Sequence, residues 1–135
     1  MVIVVWFWLC YVLFEQTNWH KMSDLRKKSC VPCLSKAQPL NGIKIKELTR
    51  QLSDGWQVIH DHHLKKIFVF KNFSLGLKFV NAIGEVAEKE KHHPDVYLSY
   101  SKVEIELFTH AADRLTENDF ILASKIDALY ETYHT

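Results

Sequence analysis

The sequence has no surplus of either sign of charge, because 17 Lys and Arg residues stand against 16 Asp and Glu residues, a formal net charge of +1. Such a balance gives no electrostatic footprint for nucleic acid or for an anionic membrane surface. An even set of cysteines is also missing, since the chain has three. We therefore expect no direct nucleic-acid binding and a reducing compartment, most simply the cytoplasm.

The chain lacks a hydrophobic run of the length that a membrane span needs, which is about 20 residues. Residues 2–14 are all apolar but fall short of that length, and they lack the positive n-region and small-residue cleavage site of a secretory signal. Met22 opens a segment, MSDLRKK, that resembles an ordinary protein start. We interpret residues 1–21 as an apolar extension outside the fold, and leave organelle or membrane targeting as the alternative.

The rest of the chain divides into an arm and one domain. Residues 22–42 are polar and are interrupted by Pro32 and Pro39, which predicts a flexible arm carrying the CxxC pair Cys30 and Cys33. Residues 43–135 have the length and the apolar content of a single domain.

The apolar spacing predicts an α+β fold of order α-β-β-α-β-β-α. The predicted elements are a helix at 43–52, strands at 56–60 and 66–70, a helix from an N-cap at Ser74 to about Lys91, strands at 96–100 and 103–109, and a last helix after a capping-box pattern at Thr116 and Asp119. Two hairpins separated by a helix favour a four-stranded antiparallel sheet with three helices on one face. The other sheet face is then solvated or paired, and dimerisation through sheet edges is a natural solution.

The strongest chemical signal is the segment KEKHHPD at 89–95, followed by His110 and Asp119. Histidine has an unperturbed pKa of about 6.5, near cellular pH. Two adjacent histidines before Pro94, with a third at the end of a later strand, therefore suggest either acid–base chemistry or a metal site.

The segment from about Gly55 to Leu129 resembles the pterin-4a-carbinolamine dehydratase family. The resemblance rests on an acidic-rich helix end, His92-His93-Pro94-Asp95, an aromatic at Tyr97, VEIELFTH at 103–110 and LTENDF at 115–120. The spacing of His92, His93, His110 and Asp119 fits the family motif without a gap. The chain departs from some members at Lys91, where they have an acidic residue, and at Asn118, where they have Arg.

This resemblance implies that residues 43–135 form a catalytic domain that dehydrates 4a-hydroxytetrahydropterin to quinonoid dihydropterin. Family membership would imply no metal and no organic cofactor, a homodimer or homotetramer, and service to aromatic amino-acid hydroxylases. The implied catalytic set is His92, His93 and His110, with His92 and His110 in acid–base roles and His93 orienting the pterin. The implied substrate-binding residues are Glu88, Pro94, Asp95, Thr109 and Asp119.

Other interpretations stay open. Asp119 has a simpler structural role in the first turn of the last helix, where a negative charge is favourable. His60, His62 and His63 could form a metal clip, although they are expected on a different turn from the main cluster and lack a ligand spacing such as His-Glu-x-x-His. The CxxC pair is half a zinc site. Alternatives to the enzyme are a dimerisation module for a transcription factor and a His-rich metal-binding protein.

Overall fold

The computed structural model describes residues 23–32 and 37–133. Its elements are α1 (Ser23–Lys27), α2 (Gly42–Thr49), β1 (Gln57–Ile59), β2 (His63–Val69), α3 (Phe73–Glu90), β3 (Asp95–Leu98), β4 (Lys102–Leu107) and α4 (Glu117–Tyr133). The predicted order is confirmed, with α1 as an additional short helix in front. The apolar extension at 1–21 and Cys33 lie outside the described residues.

The four strands form one antiparallel sheet of order β1-β2-β4-β3. Because side chains alternate along a strand, one face of the sheet is apolar and the other mixed. The inner face carries the buried side chains Leu64, Phe68, Val103, Ile105 and Leu107. On the outer face, Lys65 forms ion pairs with Glu104 and Glu106, and these bonds raise the pKa of Lys65.

The helices cover the inner face, as the α+β prediction requires. Phe79 and Ile83 of α3 and the buried stripe of α4 join the sheet residues in one hydrophobic core. Each fully buried side chain of this size stabilises the fold by about 1.5–3 kcal/mol. Trp56 and Phe79 are both core residues. Among the described residues, no helix is both long and apolar enough to cross a membrane.

Three local predictions need correction. The N-cap of α3 is Asn72, whose side chain accepts a hydrogen bond from the Leu75 amide at 3.0 Å, and not Ser74. The apolar stripe begins only at Leu75, so it could not distinguish between two good capping residues. β2 begins at His63 and not at Lys66, because cross-strand ion pairs of Lys65 stabilise a stretch whose polarity suggested a loop.

The arm is the third correction. The prediction of an irregular segment at 22–42 is wrong for Ser23–Lys27, which form α1. Leu25 in this helix is fully buried in the core. One apolar residue in five gives no periodicity, so the sequence pattern could not identify the helix.

Candidate active site

The C-terminus of α3 turns His92 into the protein. Lys91 adopts a left-handed conformation with φ of 53°, and the His92 amide donates to the Ala87 carbonyl at 3.2 Å. This arrangement closes the helix as a C-capping turn does, and Pro94 then prevents a return to helix. As a result the side chain of His92 is only 4% exposed.

The buried carboxylate of Asp119 joins three segments of the chain. Its Oδ1 lies 2.7 Å from His92 Nε2 at the end of α3. Its Oδ2 accepts hydrogen bonds from the Thr116 amide at 2.7 Å and from the Thr109 hydroxyl, just after β4, at 3.1 Å. The Thr116 bond is one half of the predicted capping box. Asp119 therefore has the expected structural role at the start of α4, and the same carboxylate also contacts His92.

The contact with Asp119 fixes the orientation of the His92 ring. An ionised carboxylate accepts hydrogen bonds but cannot donate them. In the bond at 2.7 Å the donor is therefore Nε2–H of His92. Buried carboxylates hold imidazole rings in one tautomer in this way at many catalytic centres. The pair supplies a histidine of defined orientation, with most of its ring covered.

The other two predicted histidines are accessible. The side chain of His93 is 59% exposed, and its Nε2 lies 2.7 Å from Glu88 Oε1. The side chain of His110 is 60% exposed, and its Nε2 lies 3.8 Å from Asp95 Oδ1. Each of the three histidines thus has a carboxylate neighbour, and each of those carboxylates belongs to the predicted substrate-binding set.

The ring of Phe108 packs between His110 and His62, a histidine of the second group. The rings of Phe108 and His110 lie 4.2 Å apart, and the ring of His62 lies 5.1 Å from Phe108 on centroid distances. His62 Nε2 also contacts Asp113 Oδ1 at 3.2 Å. His62 does lie on a different turn from His110, as expected, but the ring of Phe108 packs against both.

The sheet register explains this proximity. Leu64 pairs with Leu107, so the turn before β2 lies beside the turn after β4. A predicted hairpin alone could not reveal this pairing, because it joins strands separated by a helix and a further strand. His62 Nδ1 also lies 3.2 Å from His63 Nδ1. Within the described residues, however, no group of three or more His, Cys, Asp or Glu side chains is arranged to hold a metal ion.

In the arm, Cys30 lies against the end of α3, where its amide donates to Glu90. Burial, followed by the negative charge of Glu90, raises the pKa of Cys30 to about 12. Glu90 itself is ion-paired with Lys125; burial would raise its pKa, but hydrogen bonds from Lys125 and from the Cys30 amide outweigh burial and lower it. The thiol of Cys30 is therefore protonated at neutral pH, unlike a zinc ligand or a nucleophilic cysteine.

Two cavities lie next to the end of α3. One of about 300 Å³ is lined by Arg26, Val86, Lys89, Glu90, Lys125, Ala128 and Leu129, and one of about 150 Å³ by Ser29, Cys30, Pro32, Lys89, Glu90 and Lys91. None of the three predicted catalytic histidines lines either cavity. The candidate site is instead the surface where His93 and His110 are exposed.

Comparisons with known proteins identify relatives of this chain. The model of the family described as pterin 4 alpha carbinolamine dehydratase matches residues 38–129. A protein of Alkaliphilus metalliredigens, named "Putative pterin-4-alpha-carbinolamine dehydratase", is 50% identical over 78% of this chain and 96% of its own length. A relative of the same name from Rubrobacter xylanophilus is 48% identical over 80% of this chain and 100% of its own length.

Solved structures show the same fold. The crystal structure of a transcriptional coactivator/pterin dehydratase from Brucella melitensis has a TM-score of 0.65 at 33% identity, over 68% of this chain and 98% of that chain. The structure of a pterin dehydratase-like protein, a RuBisCO assembly factor in the alpha-carboxysome, has a TM-score of 0.50 at 24% identity, over 56% of this chain and 89% of that chain. The second likeness supports the fold alone.

Proposed function

Since this chain belongs to the pterin 4 alpha carbinolamine dehydratase family, we propose that it removes water from 4a-hydroxytetrahydropterin to give quinonoid dihydropterin. In this reaction the C4a–O bond breaks as the 4a-hydroxyl gains a proton and leaves as water. The lone pair of N5 forms the new C=N bond, and the resulting cation then loses a proton. The reaction therefore needs one proton donor and one proton acceptor.

The exposed His110 and the oriented His92 supply this chemistry in our proposal. Histidines can donate and accept protons near neutral pH, and a positioned acid–base group contributes about 10²–10⁴ in rate. His110 is accessible and has Asp95 beside it. His92 has Nε2 engaged by Asp119, so a substrate can reach it only through the small exposed part of its ring.

We assign binding of the pterin to His93, Glu88, Pro94 and Asp95 around these two histidines, whereas Thr109 is too deeply buried to reach a substrate. His93 and Glu88 form an exposed hydrogen-bonded pair that a polar heterocycle can reach. Thr109 is buried against Asp119, so its contribution is to hold the carboxylate. The proposal also includes catalysis without a metal ion or an organic cofactor, a cytoplasmic location, an even-numbered homo-oligomer, and service to aromatic amino-acid hydroxylases through the biopterin form of the substrate.

The observation that carries the proposal is the convergence on Asp119. It places His92 from α3, Thr109 next to His110, and the start of α4 in one hydrogen-bonded group. Three separated parts of the family motif therefore meet at one carboxylate, which supports the proposal.

The direct test is dehydration of synthetic 4a-hydroxytetrahydropterin by the purified protein, measured above the uncatalysed rate before and after treatment with a strong chelator. We expect turnover in both samples. No acceleration over the uncatalysed rate would contradict the dehydratase assignment. Activity that is lost on chelation and restored by zinc would favour metal-dependent chemistry instead.

A further inference from the structure

The arm segment Cys30–Val31 bridges the two helix ends that hold the candidate site. The Cys30 amide donates to Glu90 Oε2 at 2.8 Å, at the last residue of α3. The Cys30 thiol donates to the Asn118 carbonyl, with a sulfur–oxygen distance of 3.6 Å, in the first turn of α4. The segment is thus bonded on both sides of the gap between α3 and α4.

The side chain of Asn118 makes the firmest part of this bridge. Its Oδ1 accepts from the Val31 amide at 3.0 Å, and its Nδ2 donates to the Val31 carbonyl at 2.8 Å. Asn118 is 1% exposed. A buried amide that satisfies both backbone groups of one residue holds that residue in one position and one orientation.

Asn118 immediately precedes Asp119, and Glu90 lies two residues before His92. The hydrogen bond between His92 and Asp119 therefore joins the same two helix ends that the arm bridges. A hydrogen bond of 2.7 Å weakens steeply with added distance or misalignment. Any displacement of the first turn of α4 relative to the end of α3 would consequently weaken the contact that orients His92.

We propose that Asn118 is a positioning residue for this site, which it serves by anchoring the arm so that Asp119 stays in hydrogen-bonding contact with His92. This inference rests on the proposed dehydratase function for its kinetic consequence, but its structural consequence does not depend on that function. It also gives the arm a role that its sequence did not suggest. Asn118, where some members of the family have Arg, thus helps to hold the candidate site in place in this chain.

The test compares Asn118→Leu with Lys28→Ala. Leucine has the same branching and number of heavy atoms as asparagine but makes neither bond to Val31, whose backbone groups can turn to water because Val31 is exposed. The Lys28 variant removes the exposed ion pair between the arm and Glu117 of α4 and so serves as a matched control. Both variants are first checked for folding by circular dichroism.

The primary measurement is the Nε2–H signal of His92 in a protein labelled with ¹⁵N-histidine. In the unsubstituted protein and in Lys28→Ala, we expect a slowly exchanging proton bonded to a carboxylate. In Asn118→Leu, we expect faster exchange by about tenfold or more, because the bond opens more often. In the dehydration assay, kcat should fall by about tenfold with KM changed less than twofold, as expected when a group acting in the chemical step is misplaced.

An unchanged His92 signal in folded Asn118→Leu would overturn the inference, whatever the activity. If the unsubstituted protein shows no turnover, the proposed function fails while the exchange measurement still decides the positioning role. Should Asn118→Leu not fold, Val31→Pro removes one of the two bonds from the arm side and leaves α4 unaltered. Val31→Pro should then accelerate exchange at His92 in the same direction, and no acceleration would likewise overturn the inference.

Discussion

The carboxylate of Asp119 divides its two oxygens between two tasks. Oδ2 binds the first turn of α4 through the Thr116 amide, and Oδ1 holds the ring of His92. The spacing of Thr116 and Asp119 predicts the first task from sequence, because a capping box is local. The second task depends on two segments 27 residues apart, and no local pattern reports their contact.

Replacement of Asp119 by Asn should separate these tasks. An amide offers one acceptor and one donor, so either the Thr116 N–H or the His92 Nε2–H must face an N–H donor. We expect the loss of a buried hydrogen bond to lower the unfolding free energy by about 1–3 kcal/mol. Loss of the oriented tautomer should also lower kcat by about 10²-fold or more. Denaturant unfolding and dehydration kinetics measure the two effects, with the exposed Glu117→Gln as control, and a fully active Asp119→Asn would contradict the role of this carboxylate.

Replacement of His110 and replacement of His93 should affect different kinetic parameters. His110→Ala removes a proposed acid–base group and should lower kcat by about 10²-fold. His93→Ala removes a binding contact and should mainly raise KM. His60→Asn is the control, since His60 is exposed with a positive φ that Asn tolerates. Steady-state kinetics of the three variants decide, and wild-type kcat in His110→Ala would remove His110 from the mechanism.

The thiol of Cys30 should resist alkylation in the folded protein. Its pKa is raised from 9.0 to about 12, so the reactive thiolate is scarce at pH 8 in the native state and becomes more abundant on unfolding. Between about pH 9 and pH 12 the Cys30 thiol ionises in the unfolded state but stays protonated in the folded state. The contribution of this thiol to folding stability is therefore lost as pH rises. Iodoacetamide labelling of a Cys10→Ser, Cys33→Ser protein at pH 8, with and without denaturant, measures the difference. Equal rates in the two states would show that Cys30 is not protected.

At the scale of elements, the sequence predicts what each helix and strand buries but not which polar groups join them. The alternation in β4 and the apolar stripe of α3 are local signals, and their members Val103, Ile105, Phe79 and Ile83 are all buried. Asp127, in contrast, looks from sequence like a surface residue of α4. Its burial depends on partners supplied by distant elements, which periodicity cannot show.

These partners form a buried network. Asp127 accepts hydrogen bonds from Lys66 of β2 at 2.8 Å and from the Trp56 indole at 3.0 and 3.1 Å, and from the Ser53 amide at 3.2 Å. Lys66 in turn donates to the Ser53 hydroxyl at 2.7 Å. The network joins α4 to β2 and to the loop after α2, on the core side of the sheet.

Asp127→Ala should therefore destabilise the fold without a local effect on the histidines. It removes the carboxylate partner of the Lys66 ammonium, whose side chain is only 11% exposed and keeps only its bond to the Ser53 hydroxyl. Breaking a buried pair costs about 3–5 kcal/mol. Glu47→Ala, which breaks an exposed pair with Lys44 in α2, should cost at most about 0.5 kcal/mol and provides the matched control. Chemical denaturation of both variants tests this expectation. A change below about 1 kcal/mol in Asp127→Ala would show that the network adds little.

For the whole molecule, the element order and sheet type were predictable because they depend on short sequence patterns. These patterns are the hydrophobic period, the turn residues and the residues that end helices. The candidate set of His92, His93, His110 and Asp119 rests on their spacing, which matches a known family. The sequence did not predict that His62 reaches Phe108 or that the arm packs on the domain. Both depend on strand register and on single buried residues such as Leu25, which leave no periodic signal.

The packing of the arm leads to a prediction about where the functional chain begins. The segment MSDLRKK resembles a protein start at Met22, and the family model matches from residue 38 onward. We therefore expect a chain that starts at Met22 to keep kcat/KM within twofold of the full chain. A chain that starts at Pro39 should be much less stable, because it loses the buried Leu25, and emptying such a site costs about 2–5 kcal/mol.

The shorter chain also lacks Cys30 and Val31, so its His92–Asp119 contact loses the bridge between α3 and α4. We expect its remaining activity to fall further than its folded fraction explains. Thermal unfolding and dehydration kinetics of the three chains, at matched folded concentration, separate these effects. Loss of activity in the chain starting at Met22 would show that residues 1–21 belong to the functional unit. Full stability in the chain starting at Pro39 would show that the arm is dispensable for folding.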